Sequence, residues 1–318
     1  MEKYRSKDHK MLTYPYRGSG EAIRFPVGEI CGAEDGPTLA LVAGVHGSEF
    51  CGTQAVIEVF RKTDPAKLKG KLIAVPIYNL PAFLNHAGFV VPLDGKNPMR
   101  TFPGRTDGTF SEVMAYHFLN YLLDSKPDFL IELHGGDIPE ALVPYIMAVT
   151  TGNPALDARI KTLAEVYNIS WVIHADASKP MTGPGSMYRN MAANGVPAIL
   201  TESGQQGILD FDYVKIHETG ITNVMKKMGM IEGDPVLTEK IMNMENGCAV
   251  RCEKPGLWYP YVKLRQMVKK DEKIGEIREI FGDLIADVRS PMDGIVTVIR
   301  TSPSVEATQV LVEINIVL

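Results

Sequence analysis

Short apolar stretches alternate with helical patterns between about residues 38 and 230, and this alternation constrains the fold more than any other feature. The strand-like stretches read TLALVAGV, KLIAVPIYN, DFLIEL, YIMAVT, SWVIHA and VPAILTE. Between them, CGTQAVIEVFRK, EVMAYHFLNYLL and NPALDARIKTLAEVYN space their apolar residues for helices. Strands that alternate with helices form parallel sheets covered by those helices. We therefore predict an α/β fold, with a mainly parallel mixed sheet flanked by helices.

The composition changes after GMIEGDP at residues 229–235, and from about residue 245 the segments are short, strand-like and separated by turns. We predict an α/β domain over residues 1–240 and a small all-β barrel-sandwich domain over residues 241–318. The second domain resembles the lipoyl and biotinyl carrier folds. However, its segment SPMDGIV has no lysine that could be modified. We therefore expect it to have a structural or substrate-covering role.

Charge and composition indicate which kinds of molecule the protein does not bind. The formal net charge is −5 and is spread along the 318 residues, so we expect neither nucleic acid nor a membrane as partner. The start of the chain, MEKYRSKDHK, is charged, and no apolar run approaches the roughly 18 residues that cross a bilayer. Four cysteines without a framework spacing indicate reduced thiols. We expect a cytoplasmic protein whose partner is a small molecule. The chain could also form a homo-oligomer.

Four side chains that suit a metal site follow strand-like stretches. His46 and Glu49 lie in GVHGSEF directly after TLALVA, His134 follows DFLIEL, and Glu202 ends VPAILTE. Ligands bind at the carboxyl ends of strands in open α/β sheets. Zinc accepts imidazole and carboxylate groups, and a catalytic zinc site has three protein ligands and one open position. We predict that His46, Glu49 and His134 bind a metal and that Glu202 is the general base.

The neighbouring residues have simpler interpretations. An isolated H-x-x-E pair is more often structural than metal-binding, and only the two further strand ends favour a metal here. We expect Ser48 to cap the following helix rather than to act as a nucleophile. We expect Glu132 to lie on the opposite face of its strand and to make a supporting or structural contact. Five other histidines are predicted to be surface or packing residues: His9, His86, His117, His174 and His217.

The motifs HGSE, LHGG, RTFPG and TESG, in this order and at these distances, resemble the succinylglutamate desuccinylase and aspartoacylase family, which is related to the zinc carboxypeptidases. The resemblance spans roughly residues 20–318. It implies a zinc carboxypeptidase-like fold and one zinc ion per chain, bound by His46, Glu49 and His134. It also implies that Glu202 acts as the acid and base, in agreement with the interpretation of the strand ends.

The resemblance also concerns substrate binding. It implies that Arg100, in NPMRTFPG, binds a substrate carboxylate or the developing oxyanion, although an arginine that pins its loop is an equal alternative. Relatives commonly carry Asn where this chain has Met99, and a further Arg where it has Phe89 or Val90. Arg189, in GSMYRNM, could restore a substrate-binding cation, or it could be a surface arginine.

These residues predict a zinc-dependent hydrolase that cleaves the amide bond of an N-acyl amino acid or a related small N-acyl amine. A carboxypeptidase-type metallopeptidase would use the same zinc and base, so it stays open as an alternative. A zinc-holding binding protein without turnover is the third possibility, and the presence of Glu202 argues against it. Because Met99 and Phe89 replace polar contacts, we expect weak activity on N-acetylaspartate and succinylglutamate and a preference for an apolar or uncharged group at that position.

Overall fold

The structure is a computed structural model that describes residues 5–17, 21–176, 185–238 and 240–318. The first four residues of the charged N-terminal segment therefore lie outside the described residues. Within these ranges the chain forms seventeen strands, six α-helices and one 3-10 helix. The strands are β1 (Ser6–Pro15), β2 (Ala22–Cys31), β3 (Glu34–Ala43), β4 (Lys69–Val75), β5 (Phe129–His134), β6 (Glu140–Leu142), β7 (Tyr145–Thr150), β8 (Trp171–Asp176), β9 (Ala198–Glu202), β10 (Met242–Arg251), β11 (Gly256–Pro260), β12 (Met267–Val268), β13 (Lys273–Arg278), β14 (Leu284–Arg289), β15 (Gly294–Arg300), β16 (Ser304–Val305) and β17 (Val310–Val317). The helices are α1 (Phe50–Lys62), α2 (Leu80–Leu84), the 3-10 helix (Pro98–Arg100), α3 (Phe110–Asp124), α4 (Pro154–Tyr167), α5 (Met187–Ala193) and α6 (Phe211–Lys227).

One large mixed sheet organises the described residues. Its order is β1-β2-β4-β3-β5-β9-β7-β8-β10-β17-β15-β12, and β6 pairs with β15. Strands β4, β3, β5 and β9 run parallel to their neighbours in this order. At one edge β1 and β2 pair antiparallel, and on the other side β7 lies antiparallel to β9. The predicted α/β fold with a mixed sheet is confirmed. The expectation of a mainly parallel sheet holds for the centre and is wrong for the sheet as a whole, because the strands at both edges pair antiparallel.

The antiparallel strands β1, at the edge of the sheet, and β2 were not among the predicted strands. Most residues of β1 are exposed, and they include several charged side chains. An edge strand with charged residues lacks the apolar run that marks a buried strand. By contrast, β5 is buried along its whole length, as is typical of a strand covered on both faces.

Helix α4 begins at a clear sequence signal. Asn153 caps it by accepting from the N–H groups of Ala155 and Leu156, and Pro154 occupies the first turn. Helix α6 contacts α1 and α4, whereas α5 contacts α3 and the central strands β5 and β9. In the ranges given above, none of the helices combines the length and the apolar character that crossing a bilayer requires.

The described residues after position 240 contain strands but no helices. Strand β10 lies parallel to β8 and antiparallel to β17, so this part of the chain prolongs the large sheet. Strands β14, β13, β11 and β16 form a second sheet. A separate apolar cluster, which includes Trp258, Ile274 and Leu311, fills the space within this part. The domain boundary after residue 240 and the barrel-sandwich shape stay predictions.

Candidate metal centre

Three neighbouring strands bring the predicted residues to one edge of the sheet. Strands β3, β5 and β9 are adjacent and parallel, so their carboxyl ends lie side by side. His134 ends β5, Glu202 ends β9, and the two are direct cross-strand partners. His46 lies in the turn after β3, and Glu49 immediately precedes the first residue of α1. The structure therefore brings these four side chains together at one place.

The three proposed ligands form a compact buried group. Glu49 Oε1 lies 2.6 Å from His46 Nδ1, and Glu49 Oε2 lies 2.7 Å from His134 Nδ1. One potential ligand atom from each residue lies within 4.8 Å of the others. The side chains are almost inaccessible to solvent, because His46, Glu49 and His134 are only 8%, 4% and 1% exposed.

The chemistry of this group fits a divalent cation. Glu49 Oε2 is buried without a hydrogen-bond partner, although the imidazole of His134 is close to it. Burial would raise the pKa of Glu49, but the two imidazoles outweigh it and lower the pKa to about 2. Burial would lower the pKa of both histidines, yet Glu49 raises them above the ordinary value. The site therefore favours added positive charge, and two imidazoles with one carboxylate form a ligand set that zinc accepts.

A half-buried amide and a buried carboxylate orient the two imidazoles. His46 Nε2 lies 3.2 Å from Asn97 Oδ1, and His134 Nε2 lies 3.2 Å from Glu132 Oε1. When Nε2 donates to such an acceptor, Nδ1 is left available to a metal. Glu132 also accepts the Tyr188 N–H at 2.8 Å. The prediction that Glu132 faces away from His134 is wrong, because residues two apart in a strand share a face. The expected supporting contact is present.

His217 contacts the same strand end through its buried imidazole. Its side chain is fully buried, and Nε2 donates to the backbone oxygen of His134 at 3.0 Å. Nδ1 accepts from the Tyr167 hydroxyl at 2.9 Å. Burial lowers the pKa of His217 to about 4, so the ring is neutral near pH 7. Its predicted role as a packing residue is confirmed.

Asp137 connects the ligand-bearing turn to the loop after α2. The prediction that Ser48 caps α1 is wrong, because Glu49 occupies the N-cap position and the Ser48 hydroxyl donates to Asp137 instead. Asp137 is fully buried and also accepts the N–H groups of Phe89 at 2.7 Å and Ile138 at 2.6 Å. This carboxylate therefore holds three segments of the chain against one another.

The segment at Gly88 and Phe89 is shaped to fit Asp137. A Cβ atom at Gly88 would lie 2.7 Å from Asp137 Oδ1, so a larger residue does not fit there. Phe89 has a φ of 56°, in the left-handed region, and its ring centroid lies 5.5 Å from that of His46. Asp137 thus fixes an aromatic ring beside the candidate metal centre, at a position where relatives were expected to carry a cation.

Replacing Asp137 with alanine is expected to lower the free energy of unfolding by about 1–3 kcal/mol or more, because buried donors lose their acceptor. Urea unfolding of Asp137→Ala measures this loss. Ser48→Ala is the matched control, because it removes one donor and leaves the contacts to Phe89 and Ile138 in place. A loss in Asp137→Ala no larger than that in Ser48→Ala would show that the loop does not depend on this carboxylate.

Glu202 lies beside the ligands but is not committed to another partner. Its Oε2 atom is buried and makes no hydrogen bond in the described part of the chain. Burial raises its pKa well above the ordinary range, and the carboxylates of Glu49, Glu140 and Glu313 act in the same direction, whereas His134 opposes them. A buried acceptor without a partner is costly unless a ligand or water satisfies it.

The structure places the two predicted arginines differently. Arg100 is exposed, and its Nη1 donates to the Met99 backbone oxygen at 3.1 Å. Its positive charge acts to lower the pKa of Glu313. Arg189 is only 8% exposed, so the alternative of a surface arginine is wrong. Burial lowers its pKa, while Tyr188 and Asp176 act in the opposite direction. Met99 packs against the main apolar core, so its place on the substrate side stays a prediction.

Comparison with known proteins agrees with the predicted family. The profile of the succinylglutamate desuccinylase/aspartoacylase catalytic domain matches residues 35–228. The chain belongs to this family. A curated relative is the N-alpha-acetyl-L-2,4-diaminobutyric acid deacetylase of Halomonas elongata, which is 26% identical over 290 residues, 89% of this chain and 83% of that protein.

Solved structures show the same fold. A succinylglutamate desuccinylase/aspartoacylase from Rhodobacter sphaeroides is 25% identical, with a TM-score of 0.85 over 99% of this chain and 95% of that one. The product-bound ectoine utilization protein EutE (DoeB) from Ruegeria pomeroyi gives a TM-score of 0.88 at 23% identity, over 99% of this chain and 97% of that one. The shared fold includes the all-β part, since the similarity covers nearly the whole chain.

Proposed function

We propose that the protein is a zinc-dependent hydrolase that removes the acyl group from a small N-acyl amino acid or a related amine. The observation that carries the proposal is the position of Glu202 beside His46, Glu49 and His134. Two imidazoles and one carboxylate leave a position open on a zinc ion. A protein that only binds zinc has no use for an uncommitted carboxylate at that position.

Each residue has a specific role in this proposal. His46, Glu49 and His134 hold one zinc ion per chain, which when bound polarises the amide carbonyl and lowers the pKa of water toward about 7. Glu202 accepts a proton from the attacking water and returns it to the leaving amine. Arg100, exposed and close enough to influence Glu313, binds the substrate carboxylate or the developing oxyanion. The products are a carboxylic acid and an amine.

The relatives support amide hydrolysis of this kind. The Halomonas protein is named for removing an acetyl group from the α-nitrogen of 2,4-diaminobutyric acid. The proposal includes the zinc carboxypeptidase-like arrangement, because an H-x-x-E pair and a strand-end histidine supply the ligands. Arg189 is kept as a second substrate-binding candidate. Residues 241–318 are proposed to form a domain of their own.

A substrate screen on the zinc-loaded protein tests this function. N-acetyl and N-succinyl derivatives of charged and uncharged amino acids are compared with dipeptides and longer peptides, and the released amine is measured. The proposal predicts release from at least one N-acyl amino acid and none from the peptides. Cleavage of the peptides would favour the carboxypeptidase alternative, and zinc binding without any release would favour a binding protein.

A further inference from the structure

Two loops follow the strand ends of the candidate site, residues 135–139 after β5 and residues 203–210 after β9. The Gly136 N–H donates to the Gly204 backbone oxygen at 2.9 Å, and the Gly207 N–H donates to the Gly136 backbone oxygen at 3.0 Å. Because these backbone groups are paired with each other, the two loops are held in one arrangement. They form a single unit at the edge of the sheet that carries the proposed ligands and the proposed base.

This unit lies against the turn that carries a proposed metal ligand. A Cβ atom at Gly207 would lie 3.5 Å from the Ser48 backbone oxygen, and Ser48 immediately precedes Glu49. The same position would lie 3.1 Å from Ile138 Cγ1. Ile138 and the turn before Glu49 thus both lie beside the backbone of Gly207. The Ile138 side chain is therefore next to the candidate metal centre.

A second link joins Ile138 to an aromatic ring at the same centre. Phe89 and Ile138 both donate their backbone N–H groups to the buried carboxylate of Asp137, at 2.7 and 2.6 Å. The ring centroid of Phe89 lies 5.5 Å from that of His46, with the rings edge to face. An apolar path therefore leads from the ring beside His46 to Ile138, and from there past Gly207 to the residues that follow it.

The apolar side chains along this path are open to solvent. Ile138, Ile208 and Leu209 are 53%, 55% and 43% exposed, and Phe89 is half-buried. We call these four residues the apolar rim. A contiguous apolar surface that is left exposed marks a place where another molecule binds.

The rim offers no partner to a charged group. Residues 135–139 and 203–209 contain one charged residue, Asp137, which is fully buried and already accepts three hydrogen bonds. A charged group on the rim would lose water without gaining a partner, whereas a hydrocarbon chain there leaves water favourably. Arg100 is proposed to hold the carboxylate on the amine side of the substrate, so the part that remains for the rim is the acyl chain.

We propose that the apolar rim binds the acyl chain, so that the preferred substrates are N-acyl amino acids whose acyl group is an uncharged hydrocarbon chain longer than acetyl. This proposal rests on the proposed function and names the acyl part of its substrate class. With the amide at the candidate metal centre, the chain extends over Phe89 and Ile138 toward Ile208 and Leu209. The carboxylate at the end of a succinyl group would be unpaired there.

The test varies the acyl chain on one amino acid. Across N-acetyl-, N-butanoyl- and N-hexanoylalanine, kcat/KM should rise about twofold for each added CH2 group, about half of the roughly fourfold that complete burial of a CH2 group gives. N-pentanoylalanine should exceed N-succinylalanine, which has a similar length but ends in a carboxylate, by about tenfold or more. A fall in kcat/KM from acetyl to hexanoyl, or a preference for succinyl over pentanoyl, would overturn the proposal.

Substitutions of exposed rim side chains locate the binding surface. Ile138→Ser and Ile208→Ser should each lower the hexanoyl-to-acetyl ratio of kcat/KM by about threefold or more. Ile208→Leu keeps an apolar side chain and should keep most of the ratio. Ile280→Ser is the matched control, because Ile280 is 79% exposed in the loop between β13 and β14, and it should leave the ratio unchanged. An unchanged ratio in both rim serine variants, with their unfolding temperatures preserved, would overturn the rim as the acyl site.

A sedimentation measurement tests whether a second copy of the chain covers the rim instead. Ile138→Ser and Ile208→Ser should sediment as the unaltered protein does, because the proposed occupant is a substrate. A dimer that dissociates in these two variants would show that the rim is a contact between copies and would overturn the acyl site.

A binding measurement separates this proposal from the proposed hydrolysis. Calorimetry on the zinc-loaded Glu202→Gln protein should show N-hexanoylalanine binding about tenfold more tightly than N-acetylalanine, and Ile138→Ser with Ile208→Ser added to this variant should remove most of the difference. That result without turnover by the unaltered protein would overturn the hydrolase and keep the rim. Equal binding of the two ligands would overturn the rim, even where the unaltered protein hydrolyses N-acyl amino acids.

Discussion

Glutamine in place of Glu202 is expected to lower kcat by about a hundredfold or more, because general acid and base catalysis contributes on that order. Glutamine keeps the size of the side chain but cannot accept the proton of the attacking water. Since Glu202 Oε2 makes no hydrogen bond in the described residues, the substitution removes no structural contact of that atom. The purified variant should therefore keep its zinc and its thermal unfolding temperature.

The control for this variant is Glu245→Gln, because Glu245 is exposed and lies far along the chain in β10. It should show the kcat, zinc content and unfolding temperature of the unaltered protein. Near-normal turnover by a folded, zinc-loaded Glu202→Gln protein would show that another group activates the water.

Alanine in place of His134 is expected to abolish both tight zinc binding and hydrolysis. Removing a ligand should cost more affinity than losing an orienting contact, which already costs about 10–100-fold. His46→Ala should behave in the same way, because its Nδ1 faces the same carboxylate of Glu49. Elemental analysis after gel filtration measures the zinc bound per chain.

His9→Ala provides the matched control for the histidine variants, since His9 is exposed on the edge strand β1. It should retain the zinc and the activity of the unaltered protein. Undiminished zinc in both His46→Ala and His134→Ala would mean that the metal is bound elsewhere in the protein.

The sequence allowed the candidate metal centre to be predicted because the proposed ligands lie next to strands with clear apolar patterns. TLALVA, DFLIEL and VPAILTE are buried runs, and parallel strands bring their carboxyl ends to one edge. His46, His134 and Glu202 follow from that rule. The supporting contacts were harder to predict, since Asn97 comes from a long loop whose course depends on tertiary packing.

The strands that come from distant parts of the chain could not be predicted from local patterns. Glu140 lies in a strand of only three residues, and this strand joins the large sheet through its pairing with β15. Such pairing between distant segments leaves no periodic signal in the sequence. The substitutions at Met99 and Phe89 suggested an apolar or uncharged substrate group.

Titrating the metal-free protein with zinc while measuring hydrolysis of an N-acyl amino acid tests the central claim most directly. The proposed set of His46, Glu49 and His134 is expected to bind one ion per chain, and in the described residues these three side chains bring their ligand atoms within 4.8 Å of one another. We expect no activity without zinc, a linear rise in the rate of hydrolysis as zinc is added, and a plateau at about one equivalent per chain. Full activity in the metal-free protein, or hydrolysis that does not respond to zinc, would contradict it.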